Sequence, residues 1–306
     1  MMASMHAQRA QFPDGRWHFQ HGPMDIIIGA NGDALALNDA HDRAWERFKD
    51  ILSELVQELP LLRRPVQGTC PVYGPIARRM WLACKPHQGS VITPMAAVAG
   101  CVAQELLPFY QIPGVRRAWI NNGGDIALYL TTHESVRVGL YANLEKLNAE
   151  QLENGIEVDR QFEICSDSDV RGVATSGWRG RSFSLGIADS VTVLAATAAQ
   201  ADAAATVIAN AVNLEDPHII RRPANDIKDD SDLGCPLVTV DVPPLAPLLV
   251  QQALAAGLAC ALTLRAKGLI CSAVLVCQNQ RISTDVMKNH MADKAFTLAS
   301  SGTEYA

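Results

Sequence analysis

Three short stretches of the 306-residue chain carry side chains and backbone suited to polar chemistry. The first is Asn122-Gly123-Gly124-Asp125, which interrupts the apolar run "INNGGDIAL". Paired glycines accept positive φ and let a ligand reach the peptide N–H groups, which together can form an anion-binding nest. The same four residues equally spell a tight Asn-Gly hairpin turn. The second is Thr175-Ser176-Gly177 within "GVATSGWRGRS", where hydroxyls and exposed amides precede Arg179 and Arg181. That set suits a phosphate, held by charge-assisted bonds. It lacks the Gly-Lys-Ser/Thr ending of a P-loop, and a plain surface loop has the same composition. The third is "ADAAAT", which spaces Asp202 and Thr206 four apart, so both oxygens lie on one helical face among alanines. A hard cation such as Mg2+ takes oxygen ligands and often draws only one or two from protein. A solvated aspartate near a helix N-terminus is the plain alternative.

These residues need elements to hold them. "RWHFQHGPMDIIIGANGDALAL" reads as two strands joined by a glycine turn at "GANGD". Beyond Asn38 and Asp39, the spacing of Trp45, Phe48, Leu52, Leu55 and Leu59 predicts an amphipathic helix ending at Pro60. "TPMAAVAGCVAQELLP", residues 93–108, carries Thr93 as N-cap, Pro94 as first helical residue and Pro108 as stop. Its small side chains predict close approach to a neighbouring backbone. "RAWINNGGDIALYL", "SVRVGLYA" and "DSVTVLAA" read as strands. Thr197 and Gln200 fit a capping box that opens the alanine-rich helix, and an apolar helix near 245–266 precedes the strand "GLICSAVLVC". The order of strands, small-residue helix and glycine-bearing loop occurs twice, which points to duplicated α+β halves. Residues 1–15 read as a loose end, 16–278 as the domain and 279–306 as a flexible tail.

Composition narrows the ligands. A net charge of −6 and a pI near 5.7 argue against a surface built for nucleic acid or anionic lipid. Small solutes and protein partners remain, with a homo-oligomer compatible. Basic pairs such as Arg63-Arg64, Arg78-Arg79, Arg116-Arg117 and Arg221-Arg222 could meet a phosphate, although such pairs usually form a solvated face. The eight cysteines show no CxxC pair, the histidines no metal-type spacing, and "NDIKDDSDLG" no calcium-loop pattern. No secretory leader and no apolar run of membrane-spanning length are read in the sequence, so a reduced cytoplasmic protein is expected.

Taken together, "INNGGDIAL", "GVATSG" and "DSVTVLAATAAQADAAAT" resemble in order and spacing the ApbE family, flavin transferases that move FMN from FAD to a protein hydroxyl. The chain is more closely similar to a little-characterised ApbE-like family of bacterial and archaeal proteins. That likeness includes "QHGPMD", "GPIARRM", "TPMAAVAG" and "SFSLGIADSVTV" and spans nearly the whole chain. The resemblance implies two intertwined T-fold-like halves with a nucleotide cleft between them. It further implies that Asp202 and Thr206 hold Mg2+, and that Asn122, Gly123, Gly124, Asp125, Thr175, Ser176 and Gly177 cradle FAD or FMN. Arg181 or Arg179 would meet an anionic group, and Asp189 would serve as base. Flavin transfer to an acceptor flavoprotein, or FAD pyrophosphatase activity, would follow; a reductase is a candidate partner. Two departures stand out. "GRSFSLGIADS" replaces the family's His-x-x-Asp-Pro segment, with Arg181 or Ser182 near the histidine position, and "TPMAAVAGCV" replaces its Lys-Gly-Tyr helix motif. Arginine cannot act as a base at neutral pH. Two other readings fit such changes: an enzyme of another class acting on a small anionic metabolite, and a non-catalytic flavin-delivery protein.

Overall fold

A computed structural model describes residues 6–140, 160–180, 182–228 and 231–285. The chain begins with β1 (Gln8–Gln11), β2 (Trp17–His21) and β3 (Met24–Gly32). The hairpin between β2 and β3 turns at Gly22-Pro23, where Gly22 has φ +57°, and β3 continues through "GANG", its register against the next strand shifting between Asn31 and Gly32. The sequence reading placed that turn several residues late. Gly22 supplies the positive φ, while "ANG" still pairs with β4 (Val115–Asn122).

Helix α1 spans Ala34–Leu62 and includes Pro60, which lies in its last turn. The expected start at Asn38-Asp39 and stop at Pro60 are both corrected. A proline that close to the C-terminal end forfeits one hydrogen bond without breaking the rod. α2 (Pro75–Cys84) follows. The expected helix 93–108 is divided: a 3-10 turn over Pro94–Ala97, α3 over Val98–Leu106, and a second 3-10 turn over Leu107–Tyr110. Ala97 breaks it with φ −126°, and Thr93 makes no side-chain cap.

β4 and β5 (Asp125–Leu130) form a hairpin, and β6 (Ser135–Leu140) pairs with β7 (Arg160–Cys165) in a separate ribbon. β8 (Gly172–Ser176), β9 (Ser190–Ala195) and α4 (Ala198–Ala211) open the second half. A small ribbon of β10 (Ile220–Pro223) and β11 (Leu237–Asp241) encloses the short α5 (Ala224–Ile227). α6 (Pro247–Ala266), β12 (Ser272–Cys277) and β13 (Gln280–Ser283) close the described chain. By length and composition α6 could cross a membrane, contrary to the sequence reading; in this fold Val250, Ala253, Leu254, Gly257, Ala261 and Leu264 are buried in the second core. β1 and β13 lie in stretches expected to be a loose end and a tail. Each has an antiparallel neighbour that satisfies its backbone, so polar side chains do not prevent pairing.

The main sheet is nine-stranded and antiparallel, in the order β1-β2-β3-β4-β5-β8-β9-β12-β13. Each half repeats one plan: a hairpin, intervening helices, and a second hairpin set antiparallel beside the first. The halves join where Ile126 opposes Val173 and Ala127 opposes Gly172. Helices cover one face in two cores. Phe19, Phe48, Met80, Leu106 and Tyr110 belong to the first; Val191, Val193, Ile208, Leu254 and Leu275 belong to the second. On the opposite face Trp119, Ile126, Leu128, Val173 and Leu194 pack with Val136, Val138 and Ile164 of the β6–β7 ribbon. The α+β expectation holds. α4 interlocks the halves: Ala198, Ala199, Ala203 and Val207 pack in the first core, while Ala201, Ala204, Ala205, Ile208 and Ala209 pack in the second.

Candidate functional site

Asn122-Gly123-Gly124-Asp125 is a two-residue hairpin turn, with Asn122 opposite Asp125 and φ of +66° and +110° at the glycines. The turn reading of these residues is therefore the structural one. The Gly124 N–H donates to Asn121 Oδ1 at 2.8 Å, so one amide of the imagined nest is already engaged. The flanking side chains point inward. Asn122, 5% exposed, donates from Nδ2 to the Ala99 carbonyl at 3.2 Å, and buried Asp125 accepts from the Thr175 N–H at 3.2 Å.

α4 meets the same region from the second half. The Gly100 N–H donates to Asp202 Oδ2 at 2.8 Å, and the Ala99 N–H also hydrogen-bonds this carboxylate. Residues 99 and 100 are in the first turn of α3, whose N–H groups have no intrahelical acceptor. Asp202 thus caps α3 from another helix, where Ala97 offers no capping oxygen. Close packing makes this reach possible: a Cβ on Gly100 would sit 2.4 Å from the Ala198 carbonyl oxygen. The small-residue prediction for this segment is met there. Burial pushes the Asp202 carboxyl up to about 7, against the downward pull of the two backbone donors. Thr197 caps α4 as expected, accepting from the Gln200 N–H at 3.2 Å.

The first turn of α3 is thus a hub touched by Asn122 and Asp202, with Asp125 tying β5 to the end of β8. Thr206 lies one turn beyond Asp202 on α4 and is partly exposed. Strand alternation divides the remaining expected residues. Ala174 packs with the helices and Val173 with the opposite face, so Ser176 shares the helix side while Thr175 does not. The Thr175 hydroxyl pairs with that of Thr192 at 2.9 Å, which removes it from the Asp202 side and leaves its N–H as the inward contribution. Gly177 is needed for a close crossing, since a Cβ there would meet the Asp189 carbonyl at 2.3 Å.

Asp189 has another task. Its Oδ1 accepts from Arg179 Nε at 3.0 Å, and its Oδ2 accepts from the Gln278 N–H in the β12–β13 turn. There Gln278 and Asn279 adopt φ of +44° and +64°. Arg181 lies outside the described residues. Among the described residues no group of three or more His, Cys, Asp or Glu is gathered for a metal. The sequence reading missed the α3 hub, Asn121 and Thr192. The available signal was a helix start, "AAV", with no capping side chain of its own.

A cavity of about 630 Å3 lies elsewhere, between α2 of the first half and the N-terminal turn of α4. It is lined by Arg78, His87, Gln104 and Gln200 among others, and by none of the residues expected to hold the flavin or Mg2+.

The family model described as "AbpE bacteria" matches residues 9–286. The chain belongs to this family. The AbpE match agrees with the motif resemblance and spans both halves of the sheet. Among curated proteins, the chain is 40% identical over 169 residues to a UPF0280 protein of Methanothermobacter thermautotrophicus, covering 55% of this chain and 60% of that one. A UPF0280 protein of Methanospirillum hungatei is 38% identical over 132 residues, 43% of this chain and 50% of its own length. One from Methanosarcina barkeri is 32% identical over 208 residues, 67% and 75% respectively. The aligned region thus spans only 60% and 50% of the first two relatives. Among solved structures, the apo flavinyl transferase ApbE of Pseudomonas stutzeri aligns over 91% of this chain and 93% of its own, at 11% identity and TM-score 0.43. The Vibrio cholerae flavin transferase ApbE aligns over 66% and 86%, at 12% identity and TM-score 0.31.

Proposed function

We propose that this AbpE-family chain binds a flavin nucleotide, FAD or FMN, or a similar phosphate-bearing ligand together with Mg2+, beside the first turn of α3. The observation that carries the reading is the convergence of Asn122 and Asp202 on Ala99 and Gly100, with Asp125 and Thr175 joined next to them. Remote segments of both halves thereby meet at one polar place.

The donor set suits a hard cation. The Asp202 carboxylate accepts from the Gly100 and Ala99 N–H groups and has lone pairs beyond those two bonds, and Thr206 adds a hydroxyl on the same helical face. Mg2+ commonly takes so few protein ligands and fills its shell with water and phosphate oxygens. When bound, the ion would neutralise charge on a pyrophosphate. The chain's own residues do the rest: the Gly123 amide and the Ser176 hydroxyl would position an anionic group, and Asn122 and Asp125 would fix the hairpin relative to α3.

With Asp189 already bonded by Arg179 and Gln278, the carboxylate expected as base is engaged in holding a turn. That favours binding and delivery of the flavin to an acceptor flavoprotein or reductase over transfer or pyrophosphatase chemistry. A cytoplasmic site of action belongs to the same proposal and suits the eight free cysteines.

The test is titration of the purified protein with FAD, with Mg2+ or with EDTA, following flavin absorbance and the release of FMN or AMP. Saturable Mg2+-dependent binding is expected, weakened roughly tenfold or more in Asp202→Ala and Asp202→Asn. The asparagine keeps an acceptor for the Gly100 N–H and so separates charge from capping. Equal affinity in EDTA and in both variants would remove the metal and Asp202 from the reading. Stoichiometric binding without AMP or FMN release supports delivery; turnover supports transferase or pyrophosphatase activity.

A further inference from the structure

The cavity between α2 and the start of α4 is built from groups that the α3 site does not use. Its volume of about 630 Å3 falls within the usual range for small-molecule sites, about 300–1,000 Å3. His87 lines it, is 5% exposed, and its ring has no hydrogen-bond partner among the described residues. Its ring nitrogens are not sealed from solvent, so they stay available to a ligand at a residue that lines the cavity. Burial, and secondarily the nearby Lys267 charge, pull His87 below the usual imidazole range, so at neutral pH it offers one N–H donor and one acceptor.

The two arginines of "GPIARRM" have separate roles here. Arg79 is neutralised by Glu105 at 2.8 Å, within a network that also joins Arg47 to Glu105. Arg78 is exposed, lines the same cavity and has no carboxylate partner among the described residues. Tyr73 and Leu82, 87% and 56% exposed, supply an apolar rim. Gln104 and Gln200 each commit the carbonyl oxygen of their amide, to the Ala199 N–H and to the Thr197 hydroxyl. Their NH2 groups have no partner among the described residues and remain as donors.

We propose that this cavity is a second ligand site, for an aromatic phosphate of mononucleotide size, with Arg78 on the phosphate, His87 and the glutamine amides on polar edges, and Tyr73 and Leu82 against the flat ring. Guanidinium meets phosphate bidentately, and exposed aromatic and aliphatic side chains gain most from covering a flat apolar body. The site stands whether or not flavin binds at α3, because the two share no residue.

The test uses AMP as probe, titrated calorimetrically in EDTA so that metal-dependent binding is silent. AMP is expected to bind saturably, with Arg78→Ala and Leu82→Asp each weakening it roughly tenfold or more and Arg43→Ala on α1 leaving it within about twofold. Both informative positions are exposed, so the variants retain the fold; matching circular dichroism spectra verify that. Absence of AMP binding, or equal affinity in both cavity variants, overturns the proposal. Adenosine binding as tightly as AMP overturns the role of Arg78, and inorganic phosphate binding as tightly overturns that of the apolar rim.

Discussion

At the scale of single residues, Asp202 couples capping to charge. Its carboxyl titrates near 7 in the folded chain against 3.8 as the ordinary value, so the folded state binds more protons than the unfolded one between these limits. Stability from this group is therefore full below about pH 4 and lost as pH rises through about 7, by an amount on the order of a few kcal/mol. Urea unfolding of the wild type should show midpoints that fall from about pH 5 to about pH 8 more steeply than those of Asp202→Asn, and matching slopes would reject the assignment. Mg2+ binding at Asp202 would displace that proton. Its apparent affinity is then expected to rise roughly tenfold per pH unit below about 7 and to level off above it, as calorimetry at fixed ionic strength would register. Gly100 tests the geometry on the other side of the contact. Gly100→Ala places a methyl against the Ala198 carbonyl and should cost about 1–3 kcal/mol in denaturant unfolding. A neutral effect would mean that α3 and α4 are not held this closely.

At the scale of elements, ends and turns decide the site. Thr197 satisfies the Gln200 N–H at the start of α4, and Thr197→Ala should lower stability by about 1 kcal/mol, measured by the same unfolding titration. This cap and the alanine-rich helix behind it were readable, because a capping box is a local signal. The start of α3 was not. "TPMAAV" has a suitable threonine and proline, yet the chain forms a 3-10 turn first and takes its cap from Asp202, over a hundred residues away. The glycine turn was legible as either nest or hairpin. Pairing of Asn122 with Asp125 chose the hairpin, and the partners of its two flanking side chains depend on α3 and β8. The loop expected around Thr175 is in fact the strand β8, Gly172–Ser176, and the direction of its hydroxyl was not legible. Face depends on register against β9, where Thr175 opposes Thr192.

At the scale of the whole molecule, the two halves share α4 and a continuous sheet. Because α4 contributes buried alanines to both cores, neither half keeps a complete hydrophobic interior without the other. Thermal unfolding is expected as one transition, with near-ultraviolet and far-ultraviolet circular dichroism melting together; two separated transitions would show independent halves. The duplicated plan was legible as a repeated order of strand, helix and glycine loop. The junction of Ile126 with Val173 and Ala127 with Gly172 was not, since strand neighbours in space leave no mark in local periodicity.

By itself the sequence determined the α+β class, several of its helices and strands, the small-residue contact of the 93–108 segment, the cap of α4 and the family, because propensity, capping chemistry and motif order are written in adjacent residues. Only the tertiary structure decided that Asp202 serves α3, that Asp189 holds the β12–β13 turn, and that Arg78 and His87 share a cavity with the start of α4. Those partnerships are between groups far apart in the chain. They come from the burial of two apolar helix layers against one sheet, which brings polar groups together as a consequence of packing.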